Sequence, residues 1–288
     1  MPLRLSEDEI IAGASLLPAF PKVVTDILAT IDDDNATVSG LIELVESDPV
    51  LTARVFSLAN SAAKSGNWRK GLRDMHVAIS MIGMSRLRQI AISVSLADFG
   101  RETRVTRDFW DHSVAVGVAA QELARLRPLP DSSLVSADYA LVAGLLHDIG
   151  FLWMARFYPL EYQMARQAMA QPGGESNIEI ERRYFGIDHC QVGRILAIGW
   201  GLPSSIIEAI SSHHRPNPAL GRLVAITHVA EVLVAALGMG MNGHTPFVSL
   251  SDAARVAAGL DWKDDLNSLF GRIEARSNHF GRIFLSMA

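Results

Sequence analysis

Leu145-Leu146-His147-Asp148-Ile149-Gly150 decides how this 288-residue chain is read. An imidazole and a carboxylate stand side by side at the end of an apolar helix, a pair of metal-type donors rather than a surface ion pair. One such pair alone is most often structural, since a buried carboxylate needs a partner of some kind. Further donors recur outward on both sides. His112 lies upstream, and His189, the doublet His213-His214 and Glu231 lie downstream. Five successive helical segments thus each offer a donor or a pair, the means by which a helical bundle gathers ligands at one point. Neutral imidazoles with one or two carboxylates suit Fe, Mn, Zn or Ni rather than Mg or Ca. The expected cofactor is therefore one or two divalent transition-metal ions. Asp148 is placed to bridge two of them, and such pairs activate water toward phosphoesters. The competing reading is a metal-free histidine network that fixes helix register by hydrogen bonding.

Apolar residues recur at three and four spacing along almost the whole chain, as in Val23, Ile27 and Ile31, or Ile79, Ile82, Leu87 and Ile90, and strand signals are scarce. The expectation is an all-α protein of about twelve to fifteen helices. Gly and Pro punctuate it, notably at Pro18 and Pro21, Asp48-Pro49, Pro128 to Pro130, Pro172-Gly173-Gly174, Leu202-Pro203 and Pro216 to Pro218. Asp33 to Thr37 carries turn and N-cap chemistry ahead of a helix starting near Val38. The Arg-, Glu- and Thr-rich segment from Gly100 to Arg107 marks a boundary. It divides an N-terminal helical lobe (1–104), expected to supply no metal ligand, from a histidine-bearing helical bundle with the C-terminal helices (105–288).

Composition excludes several classes. With 49% hydrophobic and 20% charged residues the chain has ample material for a core, and its net charge of −5 lacks the basic footprint of a dedicated nucleic-acid binder. The single cysteine, Cys190, rules out an internal disulfide, fits a reducing compartment and reads as a small buried hydrophobe. The N-terminus turns acidic at Glu7, Asp8 and Glu9, the wrong order for a secretory signal, so a cytoplasmic location is expected. The long apolar stretch from Leu223 to Met241 carries His228 and Glu231 in its middle, where an ionised carboxylate would cost about 2–3 kcal/mol or more in a bilayer. It reads as a core helix, with no membrane expected. Trp68, Trp110, Trp153, Trp200 and Trp262 are expected in or near the core. Lys64, Arg69, Lys70, Arg73, Arg86 and Arg88 read as a solvated face, or as a surface for an acidic partner or a nucleotide phosphate. His76, His228, His244 and His279 are expected at the surface or satisfied in the core. No phosphate-binding glycine loop, dinucleotide fingerprint or serine-nucleophile elbow occurs.

These residues resemble the HD superfamily of metal-dependent phosphohydrolases, and more closely its divergent HDOD branch, the HD-related output domain of bacterial signalling proteins. The resemblance rests on Leu17-Pro18-Ala19-Phe20-Pro21, Asp48-Pro49-Val50-Leu51-Thr52, Leu58-Ala59-Asn60-Ser61 and Ala78 to Gly83. It continues in Phe109 to Ser113, Leu145 to Gly150, Asp188 to Gly193, Trp200 to Pro203 and His213-His214. It implies a two-lobed all-helical fold and a regulatory output role through protein partners. Against the catalytic HD-GYP enzymes, which hydrolyse cyclic di-GMP, His112, His147, Asp148, His189, His213 and His214 fall on metal-ligand positions. Glu231 stands where those enzymes have Asp, and Asp108 where some place an extra carboxylate.

Two departures bear on activity. Phe151 stands where HD hydrolases commonly carry a Lys, which removes a cation that would neutralise phosphate. Arg215-Pro216-Asn217-Pro218 replaces the Gly-Tyr-Pro segment after the His-His doublet. The expectation is a signalling regulator with a metal site and weak or no catalysis. The alternative is a metal-dependent phosphodiesterase acting on a nucleotide or cyclic dinucleotide.

Overall fold

In the computed structural model the described residues are 3–18, 20–30, 33, 36–49, 51–53, 55–56, 75–103, 107–126, 135–171, 176–239 and 249–285. Among them there is no strand, and fifteen α-helices are found, so the chain is all-α. Asn60, Ser61, Lys64, Trp68, Arg69, Lys70, Arg73 and His244 fall outside the described residues, as do the side chains of Arg86 and His279.

The chain divides into two compact units, Met1–Pro18 with Thr103–Arg282, and Ala19–Glu102 with Ile283–Ala288. The smaller holds α2 (Lys22–Ala29), α3 (Val38–Glu46), α4 (Met75–Ile82) and α5 (Met84–Thr103). Its α3 starts where the turn chemistry predicts: Thr37 is the N-cap, and its hydroxyl accepts from the Gly40 amide at 3.0 Å. Val24, Ile27 and Leu28 on α2 and Leu41, Ile42 and Val45 on α3 are buried, and the two helices pack together.

The larger unit contains α1 (Glu7–Ala14), α6 (Arg107–Leu126), α7 (Ala137–Leu146), α8 (Ile149–Phe157), α9 (Pro159–Met169) and α10 (Asn177–Phe185). After these come α11 (His189–Gly199), α12 (Ser204–Ser212), α13 (Arg222–Ala236), α14 (Asp252–Ala258) and α15 (Leu266–Leu285). The division differs from the sequence expectation at both termini, residues 283–288 falling in the smaller unit. Residues 1–18 go with the histidine-bearing unit, because α1 packs on α11 and the Leu5 amide donates to the Phe185 carbonyl at 2.9 Å. A Ser6–Glu9 capping box starts α1, and Ser176–Glu179 starts α10 in the same way.

At the centre lie α7 and α13. Every residue of α7 from Asp138 to Leu146 is buried, as are twelve residues of α13. A helix apolar on all sides belongs in the middle of a core. The stretch Ala137–Phe157 is long and apolar enough to cross a membrane, yet 83% of its apolar window is buried within the protein. Glycine sets how closely α6 and α7 approach: a Cβ on Gly144 would stand 2.6 Å from the Gly117 Cα. Trp110 and Trp153 are buried as expected. Trp262 is not; it is 57% exposed and lies beneath the Arg255 guanidinium, 5.3 Å from ring centre to cation. The guanidinium covers one ring face, which an apolar core would otherwise have to do.

Candidate metal centre

Helix ends place most of the donors. α7 stops at Leu146, and His147 follows as its C-cap. Asp148 is the N-cap of α8 but makes no side-chain capping bond. An Asp at this position ordinarily stabilises its helix by about 1 kcal/mol. This one forgoes that bond, and its carboxylate faces four imidazoles instead. Asp188 does cap, accepting from the Gln191 amide at 3.0 Å, and so sets His189 as the first residue of α11. His213 is the C-cap of α12, with His214 next. His112 and Glu231 project from within α6 and α13. Gly150 lets the start of α8 lie against α11, for a Cβ there would overlap the His189 carbonyl.

The seven sequence-predicted donors are brought together. Asp148 Oδ2 lies 3.2 Å from His147 Nε2 and 3.8 Å from His112 Nε2. Its Oδ1 lies 3.4 Å from His189 Nε2 and 3.5 Å from His213 Nε2. His214 Nε2 is 3.7 Å from Glu231 Oε1. Ligand atoms of three sets fall within 4.8 Å of one another: His112, His147 and Asp148; His147, His213 and Glu231; and His189, Cys190, His213 and His214. The residue expected as an extra carboxylate, Asp108, is exposed and belongs to none of these sets. Among the described residues the smaller unit contributes to none of them.

The outer ring nitrogens show which electrons face inward. His147 Nδ1 donates to the Gly144 carbonyl at 2.8 Å and His213 Nδ1 to the Ile210 carbonyl at 2.9 Å, while His189 Nδ1 donates to the Glu181 carboxylate at 2.7 Å. With the proton assigned to Nδ1 by its acceptor, each neutral ring turns the Nε2 lone pair inward. Three lone pairs therefore converge on a carboxylate, and His189 Nε2 and His213 Nε2 stand only 3.3 Å apart. His147 Nε2, Asp148 Oδ1 and Glu231 Oε2 are buried without a hydrogen-bond partner. Converging electron pairs repel unless a proton or a cation lies among them. The donor set thus fits one or two divalent ions.

Without an ion, protons must do this work, and the titration behaviour reflects it. Burial, and then the charge of His147, hold His112 down to about 4. Burial works against ionisation of Asp148, but the positive charge of His147, with that of the neighbouring imidazoles, outweighs it and keeps the carboxyl well below its ordinary range. Burial pushes Glu231 up. Burial also lowers His214, helped by its neighbours His213 and His189.

Four further residues shape the surroundings of the centre. Glu181 is fully buried on α10 and accepts from both the His189 ring and the His189 amide, each at 2.7 Å. Its identity as a partner depends on tertiary packing across eight residues. His228 is a satisfied core histidine, with Nδ1 donating to the His213 carbonyl at 2.7 Å and Nε2 accepting from the Ser251 amide at 3.1 Å. Cys190 is buried as expected, but its Sγ lies 3.4 Å from His189 Nε2. Phe151 stacks flat on the His189 ring at 4.1 Å between centroids and 14° between planes. His76 is exposed.

The chain matches the HDOD domain family over residues 17–216 and belongs to that family. A relative from Treponema pallidum (strain Nichols), uncharacterised in function, is 25% identical over 202 residues, which are 69% of this chain and 37% of that protein. The chain thus spans little more than a third of that relative. Three solved structures share the fold. An HDOD domain protein from Geobacter sulfurreducens aligns with a TM-score of 0.74 at 24% identity, covering 97% of this chain and 100% of the other. A candidate signal transduction protein from Marinobacter aquaeolei VT8 aligns at 0.71 and 23%, covering 99% and 61%. A candidate phosphohydrolase from Shewanella amazonensis SB2B aligns at 0.68 and 23%, covering 96% and 97%.

Proposed function

We propose that this HDOD protein is a cytoplasmic signalling regulator that acts through protein contacts. Its larger unit holds one or two divalent transition-metal ions on His112, His147, Asp148, His189, His213, His214 and Glu231, and hydrolyses phosphodiesters weakly or not at all. Bound there, such ions would supply Lewis acidity to whatever oxygen reaches them. The observation that carries the metal is the inward convergence of the His147, His189 and His213 lone pairs on Asp148, whose Oδ1 has no hydrogen-bond partner.

Phe151 is the reason to expect weak turnover. Its apolar ring stacks flat on His189, at a position where the related hydrolases commonly carry a Lys that would neutralise phosphate. Losing one contact that stabilises developing charge typically costs on the order of 10²–10³ in rate. Phosphodiester hydrolysis is the second reading, favoured by the position of Asp148 between two groups of imidazoles.

Metal analysis of protein purified without chelator, followed by steady-state assays on cyclic di-GMP and generic phosphodiesters with Mn²⁺ or Fe²⁺, separates the two readings. Bound metal with turnover far below roughly 1 s⁻¹ is the expected result. Turnover at or above that level, abolished in Asp148→Ala, would install the phosphohydrolase instead.

A further inference from the structure

Cys190 belongs to the centre by position. It is the second residue of α11, directly after the donor His189, and it is 5% exposed. A cysteine buried only as a small hydrophobe has no reason to direct its sulfur at ring nitrogens. Here Sγ lies 3.4 Å from His189 Nε2, 3.9 Å from His213 Nδ1 and 4.0 Å from His213 Nε2. Beside the same two rings stands Asp148 Oδ1, buried and without a hydrogen-bond partner. Lone pairs from nitrogen, sulfur and oxygen thus border one small volume.

The dimensions of that volume can be compared with a tetrahedral ion. Zinc bonds of about 2.0–2.1 Å to nitrogen and about 2.3 Å to sulfur give N···N edges of about 3.4 Å and N···S edges of about 3.6 Å. The observed N···N separation is 3.3 Å, and the two Sγ···Nε2 separations are 3.4 and 4.0 Å. His214 completes the set, its ligand atom within 4.8 Å of the others.

We propose that Cys190 supplies a thiolate to the ion position formed by His189, His213 and His214, so that this position takes a thiophilic ion such as zinc. The inference rests on the metal-centre reading above and specifies the ligands of one half of it. The thiol gives up its proton to solvent as the metal–sulfur bond forms, with no change of oxidation state. The two halves of the centre then differ in kind. His112, His147 and Asp148 offer nitrogen and oxygen only, whereas the other half adds a soft sulfur, and soft thiolate ligands favour ions such as zinc.

Cobalt(II) serves as the probe. Titrated into the metal-free full chain, it should give a near-ultraviolet thiolate-to-cobalt charge-transfer band in addition to its visible ligand-field bands. In Cys190→Ser and Cys190→Ala the charge-transfer band should vanish while ligand-field bands persist, and zinc affinity should fall at least ~10-fold, the lower end of what losing even an outer partner costs. X-ray absorption on the zinc-loaded wild type needs no variant and should show one sulfur at about 2.3 Å. Ligand-field bands without charge transfer, together with an all-nitrogen-and-oxygen shell around zinc, would overturn the role of Cys190 and leave the metal centre standing. Failure of the wild type to bind either ion would overturn both.

Discussion

Replacing Gly150 by alanine should damage fold and site together. The new Cβ would overlap the His189 carbonyl and stand 2.9 Å from the Gly193 amide nitrogen. Both obstacles are main-chain atoms of α11, so no side-chain rotation relieves them, and α8 and α11 must move apart. Overpacking a tight interior typically costs about 1–3 kcal/mol, and a backbone-on-backbone clash belongs at the upper end. A loss of about 3 kcal/mol in a unit of this size lowers Tm by roughly 6–12 °C. The same displacement carries His189 away from Asp148, now 3.4 Å distant, so metal affinity should drop as well. Differential scanning calorimetry and a competitive zinc titration measure the two effects. Gly199→Ala is the control: it lies at the end of the same α11 with nothing within 4 Å of its Cβ. There alanine should be neutral or stabilising by about 0.4–1 kcal/mol. If Gly150→Ala melts together with the wild type and binds metal equally well, the close approach of these helices is wrong.

Two further outcomes follow from the same geometry. Glu181→Ala removes the acceptor that orients His189 and should weaken metal binding about 10–100-fold with helicity by circular dichroism retained; unchanged affinity would mean that this contact does not orient the ring. In metal-stripped protein, His112 should make stability depend on pH. Its folded value of about 4 lies below the ordinary 6.5, so between these values the unfolded chain binds more protons. Its contribution is intact above pH 6.5 and is lost as pH falls toward 4, by an amount on the order of 3 kcal/mol. Urea unfolding of the wild type against His112→Gln should therefore show the wild type losing ground across that window, and parallel pH curves would contradict it.

The helical fold and the donor set could both be read from the chain, because each rests on local pattern. Apolar spacing of three and four is a property of neighbouring residues, and so is the Thr37 cap that starts α3. The order of the seven donors stood out because His and carboxylate are infrequent on apolar helices. What supports the donors was not legible. Glu181 looks like any helical glutamate until α10 and α11 are brought together, and the Gly144 and Ile210 carbonyls exist in every sequence. The place of residues 1–18 was hidden for the same reason: α1 is amphipathic, but nothing in its pattern says that its partner is α11. Trp262 shows the reverse error, in which a bulky aromatic is assumed to be interior although an arginine can cover it.

His147, Asp148, His189 and His213 all sit where a helix begins or ends, while His112 and Glu231 sit on the long shafts of α6 and α13. Shafts in a packed interior translate with difficulty, but joints between helices absorb rotation at small cost. Gain or loss of charge at this point would therefore act on the joints, and a change in the angles among α7, α8, α11 and α12 is the expected readout. Donors distributed in this way would turn a chemical event a few ångströms across into movement at the far ends of four levers.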